Sequence, residues 1–397
     1  MRILFLTARF PWPHLRGDQL RAYQQLRLLA ARHRLTLVCF RDGPAPPEGI
    51  AAVSALCERV VAVPLGRAAM ALGLSRGAFS SLPWQVSLHR HPRMRRVLGE
   101  LAAGETFDLV HAQLVRVAPY VEGFPASRFV DLVDALSLSM RRRSLQHRGP
   151  LRWLTALEAV RLLRYERRIC ASVEGASVVS CAERDALGGA ARVGVVPNGV
   201  DLGEFPFRRD GRSPATVVLT GNMGYFPNAH AACWFAERVH PLVRRSVPEA
   251  RFLVIGTRPA ARVRRLARAD PSVSVLGFVD DLRPFLQSAT VAVAPMQAGA
   301  GQPFKVIEAM ASGTPVVATP VAAEAFGGGS DGSLLVAGTP EAFAGAVVSI
   351  LRDAGRADGL AARARRTVED RYTWESSTAH LEELHEAARA RRPAPAP

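Results

Sequence analysis

Short apolar runs alternate with amphipathic segments along most of the chain. The run RILFLTA is followed by HLRGDQLRAYQQLRLLAARH, whose leucines fall mainly on one helical face, and then by the apolar run RLTLVCF. A strand, a turn with glycine, a helix and a second strand in this order begin an open α/β sheet. We therefore expect a doubly wound sheet over the N-terminal part of the chain.

The alternation is interrupted at residues 205–214 and then restarts. FPFRRDGRSP is polar and rich in turn residues, which is typical of a linker between domains. This interruption predicts two Rossmann-like α/β domains, over residues 1–205 and 206–375. In such sheets ligands bind beyond the carboxyl ends of the strands, so the sequence predicts a site in an interdomain cleft. RRPAPAP, at 391–397, has the composition of a disordered tail.

Composition places the chain among soluble globular proteins, with 48% hydrophobic and 22% charged residues. The basic excess lies in the first half. Residues 1–200 carry 28 arginines and 15 acidic residues, a net charge of +13, whereas 201–397 carry 23 basic and 20 acidic residues, a net charge of +3. The arginines at 141–143 and the basic helix at 161–168 are candidates for contact with a membrane or an anionic acceptor, and a solvated arginine-rich face explains them equally well.

The usual sequence signs of nucleic-acid binding, secretion and membrane insertion are missing. No zinc-ligand spacing or long basic run is present, so we expect no nucleic-acid partner. Five scattered cysteines without a CxxC pair fit reduced thiols. The apolar start MRILFLTARF is too short for a signal peptide, and no run reaches the length of about 18 residues that a membrane span needs. We expect a cytoplasmic protein, with a peripheral contact at the inner membrane face left open.

Lys305 is the only lysine among 51 basic side chains, and it lies in AVAPMQAGAGQPFKVIEAMASGTPVVAT. The pattern predicts a strand, a loop of small residues and then a helix that starts close to Pro303. A helix N-terminus favours anions, and Gly299 and Gly301 let the backbone approach a ligand closely. The stretch is therefore a candidate phosphate site.

Glu308 follows Lys305 by three residues, on roughly the same face of the predicted helix. Lys305 adds a point charge for a phosphate, and the Glu308 carboxylate can accept hydrogen bonds from two vicinal hydroxyls, as a ribose presents. Together they describe a nucleoside diphosphate site. An ordinary surface pair, worth about 0.2–0.5 kcal/mol, is the alternative.

Three stretches resemble one known family: EAMASGTPVVAT, VPNGVD at 196–201 and LGFVDDLRPFLQSATVAVAP. They are similar to glycosyltransferase family 4, which has the GT-B fold and retains the anomeric configuration. TGNMGYFPN and the G-x-x-x-K-x-x-E pattern around Lys305 resemble the sugar transferase subgroup of exopolysaccharide systems. The resemblance covers nearly the whole chain. It implies two facing Rossmann-like domains and a C-terminal helix, here 376–390, that crosses back to the first domain.

The resemblance also implies a reaction and its participants. Family members move a sugar from a nucleoside diphosphate sugar to an acceptor hydroxyl without a covalent enzyme intermediate. The D-x-D metal motif of the other glycosyltransferase fold is absent from the sequence, so we expect no metal and no cofactor. The partners expected are a nucleotide-sugar donor and a sugar, lipid-linked or small-molecule acceptor.

Two positions depart from the family pattern. Ala300 replaces the first glutamate of the E-x7-E pair, which in relatives contacts the donor sugar. Asn222 and Met223 stand where relatives often carry an arginine and a lysine for the diphosphate. We expect Lys305 to supply the missing cation. Asn222 either donates a hydrogen bond to the same phosphates or serves only as a turn residue.

The first domain offers further candidates. Gly17 lets the backbone approach the donor phosphates, Asp18 is a candidate N-cap, and Arg21 can reach a phosphate bidentately. His111 ends the predicted strand FDLVHAQ, where the family carries a histidine at the donor sugar or reaction centre. Asp131 and Asp134 are candidates for an acceptor hydroxyl. A solvent-facing helix start and a structural histidine are the alternatives for Arg21 and His111.

The predicted site therefore has four parts. The catalytic candidates are His111, Asn222 and Lys305. The nucleotide and diphosphate candidates are Gly17, Arg21, Gly221, Gly277, Phe278, Val279, Gly301, Gln302, Phe304, Lys305 and Glu308. The donor-sugar candidates are Gly299 and Ala300, and the acceptor candidates are Asp18 and Asp134. A GT-B-fold nucleotide-sugar epimerase and a non-catalytic nucleotide-sugar binding protein remain alternative functions.

Overall fold

The computed structural model describes residues 1–78, 80–189 and 191–392. Its contacts divide the chain into two units, unit 1 with Met1–Pro197 and Ser377–Pro397 and unit 2 with Asn198–Ser376. Of the predicted disordered tail, residues 393–397 lie outside the described residues.

The first division falls after Pro197 rather than at residue 205, because the segment after Pro197 is bound to unit 2. The side-chain amide of Asn198 donates to the carbonyl of Gln302 over 3.1 Å, and Val200 forms a parallel bridge with Thr373. An added Cβ on Gly199 would stand 2.5 Å from the backbone nitrogen of Trp374. The VPNGVD turn thus holds two distant parts of unit 2 together.

Unit 1 contains a sheet of seven parallel strands in the described residues, in the order β3-β2-β1-β4-β5-β6-β7. The strands are β1 Arg2–Thr7, β2 Arg34–Arg41, β3 Arg59–Pro64, β4 Leu109–Gln113, β5 Ser127–Asp131, β6 Gly175–Val178 and β7 Val193–Val195. Most of their residues are buried, as expected when helices cover both faces of a parallel sheet.

The helices of unit 1 follow the predicted alternation with the strands. They are α1 Gly17–Leu29, α2 Pro47–Ser54, α3 Arg67–Ala78, α4 Trp84–Ser87, α5 Pro92–Gly104, α6 Leu136–Gln146, α7 Pro150–Ser172 and α8 Cys181–Ala186. Side chains cap α5 and α8. His91 accepts a hydrogen bond from the amide of Arg93 at the start of α5, and Ser180 accepts one from Glu183 at the start of α8.

Unit 2 contains a second parallel sheet, of six strands in the part described, in the order β10-β9-β8-β11-β12-β13. The strands are β8 Ser213–Thr220, β9 Arg251–Ile255, β10 Val273–Gly277, β11 Ala289–Ala294, β12 Val316–Ala318 and β13 Leu335–Val336. The helices are α9 Phe226–Trp234, α10 His240–Ser246, α11 Ala261–Ala269, α12 Arg283–Ser288, α13 Phe304–Ala311, α14 Pro320–Ala323, α15 Pro340–Arg352 and α16 Ala354–Arg371. The predicted doubly wound architecture is confirmed in both units.

The last helix, α17 Trp374–Ala390, begins in unit 2 and lies in unit 1 from Ser377 onward. Leu381 and Ala388 are fully buried within the unit 1 core. An added Cβ on Gly194 would stand 2.3 Å from Leu384, so the glycine makes room for this helix against β7. Trp374, the first residue of this helix, packs in unit 2 with its ring 5.9 Å from that of Phe304.

Candidate functional site

The candidate site lies where the strand order of unit 2 reverses. β8 and β11 are neighbours at the centre of the sheet, and the chain continues from β8 to β9 on one side and from β11 to β12 on the other. Doubly wound sheets bind ligands at this kind of point, outside the carboxyl ends of the strands. Two loops begin here, 221–225 and 295–303, and both contain predicted site residues.

Gly221 and Gly256 bring the loops after β8 and β9 into direct contact. Their φ angles are +138° and +147°, in a region that L side chains rarely adopt. An added Cβ on Gly256 would stand 1.7 Å from the carbonyl oxygen of Gly221. The amide of Gly221 donates to the carbonyl of Ile255 over 3.0 Å. Glycine is therefore required at both positions; Gly221 was a predicted site residue, whereas Gly256 was not.

Lys305 lies in the first turn of α13, and its Nζ donates to Oδ1 of Asn228 over 2.6 Å. The Sδ of Met296 lies 3.9 Å from the same Nζ, and an added Cβ on Gly221 would lie 3.2 Å from it. Burial lowers the pKa of Lys305 to about 8, and the charge of Glu308 partly opposes this shift. Because burial disfavours the charged ammonium, an anionic ligand at this position would stabilise it.

Asn228 connects the lysine to the loop after β8. Its side-chain nitrogen donates to the carbonyl of Asn222 over 3.0 Å, and the Oδ1 of Asn222 accepts from the amide of Gly224 over 3.0 Å. The side-chain oxygen of Asn222 therefore stabilises the turn. Asn222 was a predicted site residue and Asn228 was not, although both belong to the stretch TGNMGYFPN.

Glu308 lies one turn further along α13 and is half-buried. Burial raises its pKa to about 7, Lys305 lowers it and Glu204 raises it further. Within the described residues no ion pair joins Glu308 to Lys305. The two charges interact only by longer-range electrostatic attraction. A carboxyl group with this pKa changes protonation near neutral pH and can accept or donate hydrogen bonds to a diol.

The loop before α13 presents backbone rather than side chains. Gly299 and Gly301 have φ angles of +111° and +85°, and the half-buried Ala300 lies between them. Pro303 is the N-cap residue, and no side chain of the described residues caps the helix. The first N–H groups of α13 therefore have no side-chain acceptor, which is the arrangement of an anion site.

Gln302 has an internal role that the sequence did not predict. It is only 3% exposed, and its Oε1 accepts from the amide of Asn198 over 2.6 Å. Its carbonyl accepts from the same asparagine side chain. Gln302 therefore fixes the loop to the VPNGVD turn through its Oε1 and its carbonyl, while its Nε2 has no hydrogen-bond partner within the described residues. Sequence spacing could not show this, because the two residues are 104 positions apart.

The end of β10 adds a third segment to this edge of the sheet. Gly277 has a φ of +77° with open space around it, and the Phe278 side chain is 60% exposed. Val279, by contrast, packs against the core of unit 2. Phe304 is half-buried beside Trp374. Of these predicted nucleotide contacts, Phe278 has the most accessible side chain.

Gly17 and Asp18 stand at the start of α1 in unit 1. Gly17 is exposed, whereas the Asp18 carboxylate forms an ion pair with Arg9. The helix begins at Gly17, and its N-cap is Arg16 without a side-chain cap, so the prediction of Asp18 as the N-cap is wrong. The carboxylate in the first turn still interacts favourably with the helix dipole.

Arg21 is a second correction, since the guanidinium is 0% exposed. Its Nε donates to Asp131 over 2.8 Å, and its Nη atoms donate to the carbonyls of Pro197 and Val196 over 3.1 and 3.0 Å. Asp131, also 0% exposed, accepts from Ser177 over 3.0 Å. Arg21 thus joins α1 to the ends of β5 and β7 and is not available to a phosphate.

His111 is a third correction. Its ring stacks on Phe5 with centroids 4.2 Å apart, and its Nδ1 lies 3.0 Å from Nε2 of His385 on α17. The side chain is 0% exposed, and burial lowers its pKa to about 4. β4 continues to Gln113, so His111 is inside the strand and not at its end. It is a core histidine.

Asp134 follows the carboxyl end of β5 and is half-buried. Burial raises its pKa to about 7, the charge of Arg21 lowers it, and the charges of Asp18 and Asp131 raise it. Unlike Asp131, it has no hydrogen bond or ion pair within the described residues. Of the predicted acceptor carboxylates, Asp134 is the one that remains available.

Residues 214–353, within unit 2, match the family described as Glycosyl transferases group 1. These residues form a glycosyl transferases group 1 domain. The matched range includes Gly221, Asn228, Lys305 and Glu308. The glycine loops and the lysine-bearing helix therefore belong to the glycosyl transferases group 1 domain.

The chain is also similar to characterised proteins. It is 28% identical to glycogen synthase of Mycobacterium tuberculosis over 222 residues. The aligned region covers 53% of this chain and 52% of that protein. It is 30% identical to phosphatidyl-myo-inositol mannosyltransferase of Mycolicibacterium smegmatis over 203 residues. That alignment covers 48% of this chain and 51% of the mannosyltransferase. The chain spans about half the length of the curated relatives it matches.

Solved structures resemble nearly the whole chain. Sucrose-phosphate synthase from Thermosynechococcus elongatus gives a TM-score of 0.76 at 19% identity and covers 99% of this chain and 100% of its own. HepE from Anabaena in complex with UDP-glucose gives 0.68 at 15% identity and covers 98% and 100%. These likenesses show the fold, so the predicted GT-B class, with two Rossmann-like units, is confirmed.

Proposed function

We propose that this chain transfers a sugar from a nucleoside diphosphate sugar to an acceptor hydroxyl, with retention of the anomeric configuration. One observation carries the proposal: Lys305 stands at the uncapped start of α13, with its Nζ held by Asn228 beside Gly221. An ammonium, a helix N-terminus and closely packed glycine backbone form a site for a diphosphate. The glycosyl transferases group 1 domain and the UDP-glucose complex of HepE support the same donor class.

The chemistry of the step follows from this geometry. Negative charge develops on the diphosphate as its bond to the sugar breaks. Lys305 and the first N–H groups of α13 would stabilise that charge electrostatically. Since burial lowers the pKa of Lys305 to about 8, a bound anion would draw a proton onto it and keep it charged. The proposal assigns no side-chain nucleophile, no metal and no cofactor.

The nucleoside would occupy the same edge of unit 2. Glu308 offers a carboxyl group to the ribose hydroxyls, one helical turn after Lys305. The exposed ring of Phe278, which follows Gly277 at the end of β10, offers an aromatic face to the base. Gly299 and Ala300 leave the sugar next to backbone groups, without the carboxylate of the E-x7-E pattern.

The acceptor belongs to unit 1 in this proposal. Asp134 supplies a carboxyl group with a pKa of about 7 beyond the end of β5, where it can accept a proton from a hydroxyl. Sugar, lipid-linked and small-molecule acceptors all present such a hydroxyl. The proposal includes a peripheral membrane contact. Among the described helices, none has both the length and the apolar composition needed to cross a bilayer.

The first test is donor binding. Purified protein is mixed with UDP, GDP and dTDP and with the corresponding sugar nucleotides, and the shift in melting temperature is measured. A ligand at about 100 times its Kd stabilises the fold by about 2.7 kcal/mol, which such a scan resolves. Lys305→Gln is the matched variant, and it should abolish the shift. If no nucleotide stabilises the wild-type protein, the proposed donor site is wrong.

Release of the nucleoside diphosphate separates the alternative functions. A transferase releases it only with an acceptor present, apart from slow hydrolysis. An epimerase converts the sugar nucleotide without an acceptor, which NMR of the anomeric region detects. A protein that binds nucleotide tightly but neither releases nor converts it with any acceptor is a binding protein, and the transferase proposal then fails.

A further inference from the structure

The helices α6 and α7 of unit 1 expose a concentration of apolar side chains. Six of the fourteen large apolar residues that are exposed in the described chain lie within 145–160. They are Leu145, Leu151, Trp153, Leu154, Leu157 and Val160, and we call them the α6–α7 surface. Trp153 is 75% exposed and Leu145 is 68% exposed. Contiguous apolar surface of this kind marks a contact with a partner or a membrane.

These side chains are not needed to hold α7 in place. α7 buries a different face, which includes Leu162, Tyr165 and Ile169, against unit 1. Trp153, Leu157 and Val160 follow one another at spacings of four and three residues, so they form one stripe along the helix. The helix therefore packs with one face and leaves a second apolar face uncovered.

The exposed charged side chains of α6 and α7 are all positive. The arginines of the two helices and their connection are Arg141, Arg142, Arg143, Arg148, Arg152, Arg161, Arg164, Arg167 and Arg168. The acidic residues between Leu136 and Ser172 are Glu158 and Glu166, and both are buried. Glu158 accepts from the amides of Trp84 and Gln85, and Glu166 accepts from Ser137. The exposed part of both helices is therefore apolar and cationic.

A cationic cavity adjoins this surface. Arg161 of α7 donates to the carbonyls of Gly77 and Ser80. Ser80 lines a cavity of about 320 Å³ together with Arg90, His91 and Arg95. α5 has no acidic residue in its first turn, so the positive end of its dipole and these arginines act together. Such a cavity suits an anionic group next to an apolar surface, which is how a lipid headgroup is presented.

We propose that the α6–α7 surface docks unit 1 on an anionic lipid bilayer. Trp153 and the leucines enter the boundary between headgroups and acyl chains, and the surrounding arginines contact the lipid phosphates. Amphipathic helices with tryptophan and leucine on one face and arginines beside them bind in this way, with their axis in the plane of the interface. The inference rests on the peripheral membrane contact of the proposed function and names its surface and its lipid class; it does not depend on the transfer reaction.

The test uses the full chain and lipid vesicles. One set of vesicles is phosphatidylcholine alone, and the other contains about a third phosphatidylglycerol; binding is measured by co-sedimentation. We expect binding to the anionic vesicles that weakens at high salt, because screening removes the attraction of the arginines. Trp153→Gln with Leu157→Gln should weaken binding about tenfold or more, since two apolar side chains no longer enter the interface.

Matched variants distinguish binding through the α6–α7 surface from nonspecific hydrophobic and nonspecific electrostatic binding. Ile50→Gln changes another exposed apolar residue of unit 1, and Arg265→Gln with Arg268→Gln removes two exposed arginines of α11 in unit 2. Both should bind vesicles as the wild type does, whereas Arg148→Gln with Arg152→Gln should bind more weakly. Equal losses in the control variants would overturn the proposal.

A second readout reports insertion directly. Lipids brominated on the acyl chain should quench the fluorescence of the wild-type protein, and Trp153→Phe should bind equally well but lose most of this quenching. If the protein binds neither kind of vesicle, or if it forms dimers that Trp153→Gln dissociates, the proposal of bilayer docking is wrong. Nucleotide binding measured on the same variants stays intact in either case, so failure of docking is distinct from failure of the donor site.

Discussion

The Nζ of Lys305 and the Oδ1 of Asn228 are 2.6 Å apart, and this hydrogen bond joins the start of α13 to the start of α9. It holds the only lysine of the chain beside Gly221, where the two central strands of unit 2 end. The bond leaves the ammonium with two further hydrogens for a ligand. It therefore fixes the position of the charge without neutralising it.

Lys305→Arg tests the requirement for a compact cation. Asn228 and the backbone of Gly221 crowd the Nζ, and a planar guanidinium is broader than an ammonium. We expect turnover to fall about 100-fold, as when one donor to a developing anion is lost. Steady-state release of nucleoside diphosphate measures the effect, and the melting temperature checks the fold. Turnover near the wild-type rate in a folded variant contradicts this role for Lys305.

Asn228→Asp tests how the lysine is held. A carboxylate 2.6 Å from the Nζ would pair with the ammonium and compete with a diphosphate for its charge. Affinity for the nucleotide should therefore fall, while the pKa of Lys305 rises because an opposite charge favours the protonated form. Isothermal titration measures the first effect.

Asn228→Ala is the comparison for the aspartate variant. It removes the hydrogen bond without adding charge, so it should weaken nucleotide binding less than Asn228→Asp does. An alanine variant that binds worse than the aspartate variant would show that positioning, and not charge, dominates at Asn228.

Amine labelling tests the accessibility of the same lysine. The chain has one lysine, so an amine-selective acetylating reagent modifies Lys305 and the N-terminal amine. The lysine pKa of about 8 makes it partly neutral and reactive at mildly alkaline pH. Intact-mass analysis should show two acetyl groups on the free protein and one with saturating nucleotide. Lys305→Arg should carry one acetyl group in both conditions. If the nucleotide-bound protein still carries two acetyl groups, the nucleotide does not bind at Lys305.

Glu308→Gln tests the pH dependence of stability. Burial raises the pKa of Glu308 to about 7 in the folded protein, above its usual value of 4.5. The folded state therefore binds more protons than the unfolded state between these two values, and the contribution of this group to stability falls as the pH rises through them. The glutamine variant should be more stable than wild type at pH 8 and about equal at pH 4. Urea denaturation at several pH values measures this, and equal pH slopes for both proteins would contradict it.

Arg21→Met tests the corrected role of Arg21. The substitution leaves Asp131 as a buried carboxylate that has lost its ion-pair partner, which costs about 3–5 kcal/mol. Chemical denaturation should show this loss for unit 1. Arg27→Met, on the same helix, is the control and should cost much less. If Arg21→Met kept its stability and lost only nucleotide affinity, the original prediction of a phosphate contact would regain its basis.

Much of the fold could be predicted from the sequence, because its signals are local. Apolar runs such as RILFLTA and ARFLVIG mark buried parallel strands, and the amphipathic segments between them mark the covering helices. The motif around Lys305 was equally visible, since its small residues and the start of its helix are contiguous. The domain boundary was predicted less accurately. Its position depends on the hydrogen bond between Asn198 and Gln302, which are 104 positions apart in the sequence.

The polar residues of the site fall into two groups: those that local sequence places together and those that only tertiary contacts place. Local sequence determined that Gly301, Lys305 and Glu308 share one loop and helix start, because adjacent residues cannot lie far apart. Only the tertiary structure decided that Arg21 serves Asp131, 110 positions away, and that His111 meets His385, 274 positions away. It also decided that Asn228 holds the lysine, 77 positions away. A buried charge or hydrogen-bonding group needs a partner, and packing brings that partner from any part of the chain.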